Sequence, residues 1–468
     1  MFKTNDIRTL IVVVACVLPI LTGCHIYKSY ERPDRAVTVA DSLYRHIPAA
    51  DTVIADTASL ADFSWKELFT DSLLQKLIET GMANNTDLNV ARYKVEEAKA
   101  LLTSSKLAYL PSLTFNPEGG ISHSESQGTT KTYNIGASAN WELDFFGKLT
   151  NAKREAKAVL EQSVYYKQAV QTQLVSTIAG SYYTLLMLDK QCEITKGTIE
   201  IWGENLRTLE ALKNAGQATE LDVAQARATK LSVEASLSSL KQQVTEAENS
   251  LSALLGIAPG HIARGTFDEQ QFPDSIATGV PLQLLQRRPD VRQKEAELAA
   301  SFYATNYARA AFYPSITLSG SAGWTNSVGA AIGNPAEWLM SALGSLVQPL
   351  FNRGENIANL KIAKAQQEEA LLEFRQSLLD AGSDVNNSLA QWQGARERLE
   401  LSKKQIEALE STVRNAELLM RYSTQNYLEV LTARQSLLQA ELTVVSDRFD
   451  EISGVINLYH ALGGGYDM

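Results

Sequence analysis

Few residues in this 468-residue sequence have the types and the spacing that catalysis or metal binding requires. The histidines match no metal-ligand spacing, and the sequence contains no G-x-S-x-G, H-E-x-x-H or C-x-x-C motif. Gly147-Lys148 lacks the upstream glycine of a phosphate-binding loop, and Gly463–Gly465 follows a predicted helix rather than a strand. We therefore expect no enzymatic activity, no cofactor and no metal. The histidines are His25, His46, His123, His261 and His460.

Cys24 is the residue for which the sequence does predict chemistry. Lys3 and Arg8 precede an apolar run from Leu10 to Leu21, which is the layout of a secretory signal. The run ends in Leu21-Thr22-Gly23-Cys24, and this tetrapeptide resembles the lipobox of bacterial lipoproteins. We expect removal of residues 1–23 and acylation of Cys24. The alternative, an uncleaved core helix with an incidental cysteine, fits the short apolar run less well.

The other cysteines indicate a protein without disulfides. Cys16 leaves with the signal peptide and the lipid occupies Cys24, so Cys192 is the one remaining thiol among the three cysteines. A lone thiol cannot form an intramolecular bridge. We expect Cys192 to be a buried helix residue.

Charge and hydropathy exclude two classes of protein. The formal net charge of −10 argues against nucleic-acid binding, which needs clustered Lys and Arg on one face. The mature chain has no stretch of 18 consecutive apolar residues, so a transmembrane helix is not expected.

The sequence contains an internal duplication. "AYLPSL" at 108–113 matches "AFYPSI" at 311–316, at an offset of 203 residues. "TELDVAQAR" at 219–227 matches "NYLEVLTAR" at 426–434, at an offset of 207 residues. A four-residue insertion between the two matches in the second copy explains the change in offset. We therefore interpret the chain as a tandem repeat.

Proline positions predict long helices in each copy, because a proline inside a helix costs about 3 kcal/mol or more. None of the twelve prolines falls in 118–258 or 350–468. Apolar residues from Leu428 to Tyr459 recur every 3.5 residues on average, which predicts packing partners along the whole length. Breaks at Asn214–Gln217 and Tyr422–Gln425 divide each segment into a helical hairpin.

The segments that follow the repeated prolines alternate with period two instead. Residues 112–144 and about 315–350 predict two β-hairpins, each with one apolar and one polar face. The return arm of the second hairpin alternates poorly, because Leu343 and Val347 are out of step. Arms of about ten residues suit transmembrane β-strands, although half-buried strands of a soluble hairpin remain an alternative.

Four strands cannot span a membrane alone, since an open sheet leaves two edges of unpaired backbone groups in hydrocarbon. Copies of the chain must therefore pool their strands. Two copies give eight strands and a barrel filled by side chains, whereas three copies give twelve strands and space for an aqueous lumen. We prefer the trimer.

Several motifs, taken in order, resemble the TolC family of outer-membrane factors, especially its lipid-anchored members that serve RND-type efflux pumps. The resemblance covers nearly all of the mature chain. The motifs are Trp65–Phe69 with Asp71 and Leu74, Asn84–Leu88, Leu143–Gly147, Leu285 with Arg287–Arg292, and Gln348–Phe351.

The resemblance implies a mainly α fold with a small β part. Long antiparallel helical hairpins form an α-barrel, and four transmembrane strands per chain contribute to a twelve-stranded trimeric β-barrel. The implied function is an outer-membrane exit duct that works with a periplasmic adaptor and an inner-membrane pump. Two alternatives are a duct for type I protein secretion and a periplasmic coiled-coil adaptor. The adaptor is less favoured because it needs one helical hairpin rather than two.

The expected organisation follows the two repeats. The signal peptide is 1–23, a lipidated linker is 24–62, and an inter-repeat linker is 257–281. The first repeat is 63–256, with strands at about 112–144 and a helical hairpin at about 148–256. The second repeat is 282–468, with strands at about 315–350 and a helical hairpin at about 354–462.

The turns of the two helical hairpins are the predicted adaptor contacts. They are expected at the periplasmic end of the channel, although they could also be solvated loops with no partner. The residues are Gly216, Gln217, Ala218 and Thr219 in the first turn, and Ser423, Thr424, Gln425 and Asn426 in the second.

The resemblance also implies a gate near the second turn. The family has two aspartates three residues apart on its last helix, and each forms a ring of acidic side chains around the constriction. Glu429 and Thr432 occupy these positions here, so one acidic ring is kept in type and the other is lost. Asp222 is the repeat equivalent of Glu429. Arg421 and Tyr422 are expected to form contacts that hold neighbouring helices together. The alternative is that Glu429 is a solvated residue on the outer face.

Overall fold

The computed structural model of the protein describes residues 27–33, 60, 63–126, 128–270, 272, 287–325, 337–422 and 427–465. In chain order the helices are α1 Trp65–Leu68, α2 Ser72–Asn84, α3 Thr86–Leu107, α4 Lys148–Asn214, α5 Glu220–Leu255, α6 Pro289–Ala310, α7 Glu355–Tyr422 and α8 Tyr427–Ala461. The strands are β1 Ser112–Ser124, β2 Gly128–Leu143, β3 Ser315–Thr325 and β4 Glu337–Val347.

The fold class agrees with the prediction, because the chain is mainly α with one small antiparallel sheet. The long helices follow one another in two pairs. α4 and α5 have 67 and 36 residues, and α7 and α8 have 68 and 35 residues. A periplasmic adaptor was expected to have a single such pair. Within the described part of the chain, no helix combines the length and the apolar character needed to cross a membrane.

The sheet has the order β1-β2-β3-β4 and keeps the predicted apolar face in register across its strands. Phe115 pairs with Ala137, and Ala137 pairs with Ala322, so residues of the apolar set stand opposite one another. The two out-of-step residues of β4 pair with serines, Leu343 with Ser319 and Val347 with Ser315. They therefore belong to the polar face, as their phase in the sequence indicates.

The sheet has no core within a single chain. Every residue of β1 is exposed, including Leu113 at 80% and Ile121 at 75%. β1 and β4 are the two edge strands of this sheet, and in the described structure each pairs with one neighbouring strand and leaves its outer edge unpaired. A sheet with two open edges and an exposed apolar face is incomplete as a single copy in water.

The passage from β2 into α4 is a capped turn. Gly147 adopts a left-handed φ of +71°, and Asp144 accepts hydrogen bonds from the amides of Leu149 and Thr150 at 2.9 and 2.7 Å. These bonds satisfy amide groups that the first turn of a helix leaves without partners. Residues 144–150 therefore start the longest helix of the first hairpin immediately after the sheet.

The chain divides into two compact units that do not coincide with the two sequence repeats. Unit 1 contains 1–37, 94–164 and 293–375, and unit 2 contains 38–93, 165–292 and 376–468. Each unit draws on both repeats, because both β-hairpins share one sheet and both helical hairpins share one core. The repeats are therefore units of sequence and are not independently packed domains.

The core of unit 2 is built around large aromatic side chains from four helices. Trp65 of α1, Tyr182 of α4, Trp392 of α7 and Tyr459 of α8 are all at most 2% exposed. The described part of the predicted inter-repeat linker, residues 257–270 and 272, has no helix or strand, yet it buries Ile262 and Phe267 in this core.

The linker is also held by polar contacts. The amide of Gly265 donates to the Tyr182 hydroxyl at 2.9 Å, and this hydroxyl donates to Asp71 at 2.5 Å. The contact joins the linker to the N-terminal end of α2, where Asp71 also accepts from the amide of Leu73. The segment is therefore packed against unit 2 rather than free of it.

Candidate functional site

The first predicted adaptor-contact turn is a Schellman motif that closes α4. The amide of Gln217 donates to the Leu212 carbonyl at 2.8 Å, and the amide of Gly216 donates to the Lys213 carbonyl at 3.0 Å. Gly216 has φ +73°, which a residue with a Cβ adopts only at a cost. Glycine at 216 thus fixes where the helix stops and the turn begins.

A capping box starts α5 directly after this turn. The Thr219 amide and hydroxyl donate to Asp222 Oδ2 at 2.8 and 2.7 Å, and the Asp222 amide donates back to the Thr219 hydroxyl at 3.3 Å. Asp222, predicted as part of the gate, therefore has a local role in starting the helix. The sequence signal is the spacing of Thr219 and Asp222, which is that of a capping box.

The turn is anchored on one side and open on the other. Gly216, Gln217 and Thr219 are exposed, whereas Ala218 is partly buried. Ala218 packs against an apolar cluster whose buried members are Trp202, Leu209, Val223, Ala226, Val233 and Leu431. The turn is therefore a fixed shape that presents Gln217 to solvent.

The second predicted turn, Ser423, Thr424, Gln425 and Asn426, lies outside the described residues. Its two flanking helices are described: α7 ends at Tyr422, preceded by Arg421, and α8 begins at Tyr427.

Glu429 and Thr432 both lie in the first turns of α8 with exposed side chains. The Thr432 hydroxyl donates to the carbonyl of Leu428 at 2.9 Å, so it is occupied within its own helix. Val430 and Leu431, between them, are buried. The exposure of Glu429 fits a pore-lining position and an outer-face position equally, so its role stays a prediction.

A charged network that sequence reasoning missed lies in the Arg287–Arg292 motif. The Arg288 guanidinium is 5% exposed and donates to Asp290 Oδ1 and Oδ2 at 3.0 and 2.6 Å. It also donates to Asp384 Oδ2 at 2.9 Å through both terminal nitrogens, and to the Ala461 carbonyl at 3.3 Å. Arg288 thus joins the start of α6 to α7 and to the end of α8.

Burial and this network together lower the pKa values of Asp290 and His460. Burial by itself would raise the pKa of Asp290, but hydrogen bonding to Arg288 and its positive charge hold that pKa below the usual range. Burial lowers the pKa of His460, and the charge of Arg288 lowers it further, against an opposite effect of Asp290 and Asp384. Asp290 is therefore ionised and His460 neutral near pH 7.

A second network holds the inter-repeat linker to α4 and α5. Arg264, 8% exposed, donates through Nε to Asp189 at 2.5 Å and through Nη1 to Glu248 at 2.5 Å. Burial by itself would raise the pKa of Glu248, but hydrogen bonds from Arg264, Ile262 and His261 lower it overall. Both networks are structural, since each joins separate parts of the chain.

Cys24 lies outside the described residues, as does the predicted signal peptide at 1–23. The segment that begins three residues later, at Tyr27, is described and docked in unit 1. The Arg32 guanidinium forms a two-pronged ion pair with Glu295 of α6, at 2.6 Å for each contact. The Tyr30 amide donates to the Tyr303 hydroxyl at 3.1 Å, and the ring of Tyr30 stands edge-on to Phe302.

Within the described residues no group of three or more His, Cys, Asp or Glu side chains could hold a metal ion. Cys192 is a free, buried residue of α4, as predicted, and burial raises the pKa of its thiol. A neutral, buried thiol is a poor nucleophile and a poor ligand.

The model of the outer membrane efflux protein family matches residues 77–257 and 280–464, which is most of the chain. The chain belongs to this family. It is 29% identical over 466 residues to the cation efflux system protein CusC of Escherichia coli (strain K12), covering 96% of this chain and 98% of CusC. It is 30% identical over 461 residues to the antibiotic efflux pump outer membrane protein ArpC of Pseudomonas putida, covering 96% and 94% of the two chains.

The fold is also that of a solved family member. The open state of the MtrE outer membrane channel of Neisseria gonorrhoeae superposes with a TM-score of 0.81 at 27% identity, covering 94% of this chain and 98% of MtrE. The predicted family, the fold class, the function in efflux and the outer-membrane location are therefore confirmed, whereas the lipid-anchored subgroup stays a prediction. The protein is an outer-membrane efflux channel, and channels of this family are trimers that work with efflux partners.

Proposed function

We propose that three copies of this chain form the passive exit duct of a tripartite pump, completed by a periplasmic adaptor and an inner-membrane transporter. The observation that carries the trimer is the four-stranded sheet with an open edge on β1 and another on β4. Pairing β1 of one copy with β4 of the next satisfies both edges. Three copies close a sheet of twelve strands, wide enough for a lumen. No catalytic step is needed.

The test is reconstitution. Cells without an outer-membrane efflux channel receive this protein with its genetically neighbouring adaptor and transporter, and efflux of a fluorescent substrate is measured. We expect efflux to require all three proteins, and native mass spectrometry of the purified channel to give a trimer. A monomer that conducts no ions in a planar bilayer would contradict the proposal. Neighbouring ABC transporter genes with protein export would indicate the type I secretion alternative.

We further propose that Cys24 carries the lipid anchor. The docked segment 27–33 supports this, because Arg32 and Tyr30 fix it on α6 and the chain from Tyr27 back to Cys24 can span no more than about 11 Å. The anchor therefore enters the membrane close to unit 1, which contains the sheet. Several acyl chains then add to the insertion of the strands.

The matched pair of variants is Cys24→Ser and Cys16→Ser. Cys24→Ser is expected to abolish labelling by radioactive palmitate and to weaken membrane retention while export continues. Cys16→Ser, within the signal peptide, is expected to leave both unchanged. If mass spectrometry showed an unmodified mature N-terminus downstream of Cys24, the assignment of Cys24 as the lipidated residue would be wrong.

The exposure of the first turn supports an adaptor contact at Gln217. Thr424 occupies the equivalent position in the second repeat, so we propose the same contact there. Cysteine at either position, combined with a short bifunctional reagent in cells, is expected to cross-link the adaptor. Cysteine at Ser126, in the β1–β2 turn, is the control and should give no product. Cross-linking from Ser126 alone would mean that the channel is oriented the other way.

The gate proposal rests on the family resemblance, which places Glu429 at one of the two acidic gate positions, and the exposed side chain of Glu429 at the start of α8 is compatible with it. Three symmetry-related carboxylates in a narrow lumen repel one another and attract cations. Glu429→Gln is therefore expected to weaken cation preference in single-channel recordings. Glu269→Gln, which removes an exposed carboxylate from the inter-repeat linker, is the charge-matched control. Unchanged selectivity in assembled Glu429→Gln trimers would place Glu429 outside the pore.

A further inference from the structure

Two ion pairs occupy equivalent positions in the two repeats. Arg227 of α5 contacts Glu210 of α4 at 3.0 Å, and Arg434 of α8 contacts Glu417 of α7. Both arginines and both glutamates are related by the offset of 207 residues that aligns the helical hairpins. In each case the pair joins the two antiparallel helices of one hairpin.

Each pair lies just beyond its hairpin turn. Arg227 is seven residues after the start of α5 and Arg434 is seven residues after the start of α8, about 10 Å along each helix. The residue before each arginine is a buried alanine, Ala226 or Ala433. A small side chain lets the two helices approach, so that the arginine beside it can reach across to the glutamate.

Other interhelical pairs do not recur in this way. Arg398 of α7 contacts Asp447 of α8 at 3.0 Å, but the equivalent positions in the first repeat are Gln191 and Leu240. Ion pairing between the helices is therefore not a general property of the repeat. Lys213 of α4 and Glu220 of α5 also form an ion pair, nearer the first turn, but Met420 and Tyr427 occupy the equivalent positions in the second repeat. The pair of Glu210 and Arg227, by contrast, recurs in the second repeat as Glu417 and Arg434.

The two pairs differ in exposure. The side chains of Arg227 and Glu210 are 55% and 46% exposed, whereas those of Arg434 and Glu417 are 20% and 36% exposed. Water screens the first pair more strongly, so the second pair holds its helices more tightly.

We infer that Glu417 and Arg434 are positioning residues for the channel tip, a role that rests on the gate proposed above. The pair holds α7 against α8 and so fixes the first two turns of α8, which contain Glu429 and Thr432. Arg434 is five residues beyond Glu429, so a separation of the helices at Arg434 moves the acidic side chain with it. Glu210 and Arg227 hold the first hairpin in the same way.

The experiment uses three charge variants of each hairpin in the purified trimer. For the second hairpin they are Glu417→Arg, Arg434→Glu and the double exchange of both. For the first hairpin they are Glu210→Arg, Arg227→Glu and their double exchange, which provide the matched comparison. Two readouts are taken: amide hydrogen exchange of the segments that flank the turns, and single-channel current at low voltage.

Arg434→Glu is expected to speed exchange in 415–422 and 427–436 about tenfold and to raise the mean current, because attraction between the helices becomes repulsion. Arg227→Glu is expected to speed exchange in its own hairpin about threefold, since that pair is more exposed. Both double exchanges should restore exchange rates and current to within about twofold of wild type. Restoration also shows that the variants still fold.

Three outcomes overturn the inference. The first is a double exchange that fails to restore the Arg434→Glu phenotype, because charge pairing would then not be the cause. The second is unchanged exchange in Arg434→Glu. The third is faster exchange with unchanged current, since the pair would then hold the hairpin without positioning the gate. If Glu429→Gln leaves selectivity unchanged while Arg434→Glu raises the current, the Glu429 assignment fails and the positioning role stands.

Discussion

Replacement of Arg288 by methionine is expected to destabilise the chain by about 3 kcal/mol. Methionine retains the apolar stem but removes the guanidinium that donates to Asp290, Asp384 and the Ala461 carbonyl. Breaking a buried ion pair by removing one partner costs about 3–5 kcal/mol. The low end applies because the two carboxylates are 45% and 49% exposed, so water replaces part of what they lose.

The corresponding decrease in the midpoint temperature of thermal unfolding follows from the length of the chain. Unfolding entropy near 2.1 cal/mol/K per residue gives roughly 1 kcal/mol/K for this chain, so the thermal midpoint should fall by about 3 °C. The assay is circular dichroism at 222 nm on the detergent-solubilised protein at pH 7.5. Arg414→Met is the control, because its ion pair with Glu410 is an exposed pair within α7 and contributes at most about 0.5 kcal/mol.

The pH dependence provides a second check on the same variant. The pKa of Asp290 is lowered in the folded chain, so the stability it contributes is present above its usual value of 3.8 and is lost as the pH falls below that value. The difference between wild type and Arg288→Met should therefore shrink below pH 4. A midpoint within 1 °C of wild type at pH 7.5, or an equal loss in Arg414→Met, would refute the assigned role of Arg288.

Two further predictions concern the same unit. Since burial lowers the pKa of His460, the unfolded chain takes up a proton below about pH 6.5 that the folded chain resists, and stability is lost as the pH falls through this range. His460→Gln should therefore show a smaller midpoint decrease between pH 7 and pH 5.5 than wild type, and an identical decrease would contradict this. Gly454→Ala places a Cβ 2.9 Å from the backbone nitrogen of Trp392, which should cost about 1–3 kcal/mol in thermal unfolding. Gly394→Ala, whose nearest neighbour is the flexible Arg398 at 3.5 Å, should be neutral or stabilising, and equal losses in both would argue against close helix packing at Gly454.

Local patterns in the sequence determined the elements of this fold. Long helices such as α4 and α7 must lack interior prolines and must carry a regular apolar repeat. Both conditions can be checked along a single segment of the sequence. The strands follow from alternation, although the arm that contains Leu343 and Val347 alternates poorly, and only the strand pairing placed these two residues opposite serines. These features depend on neighbours a few residues away, and periodicity records such neighbours directly. Because the sequence is duplicated, each of these patterns occurs twice.

The tertiary structure decided which distant residues meet. Arg288 lies 96 residues from Asp384 and 173 residues from Ala461, and no periodicity relates residues so far apart. Repeat equivalence alone suggested that Asp222 and Glu429 share a role, yet the capping box with Thr219 engages Asp222 locally. The pairs Glu210–Arg227 and Glu417–Arg434 form because two antiparallel helices pack at one relative rotation and offset. That rotation is set by the whole buried interface, so a sequence read along one helix does not contain it.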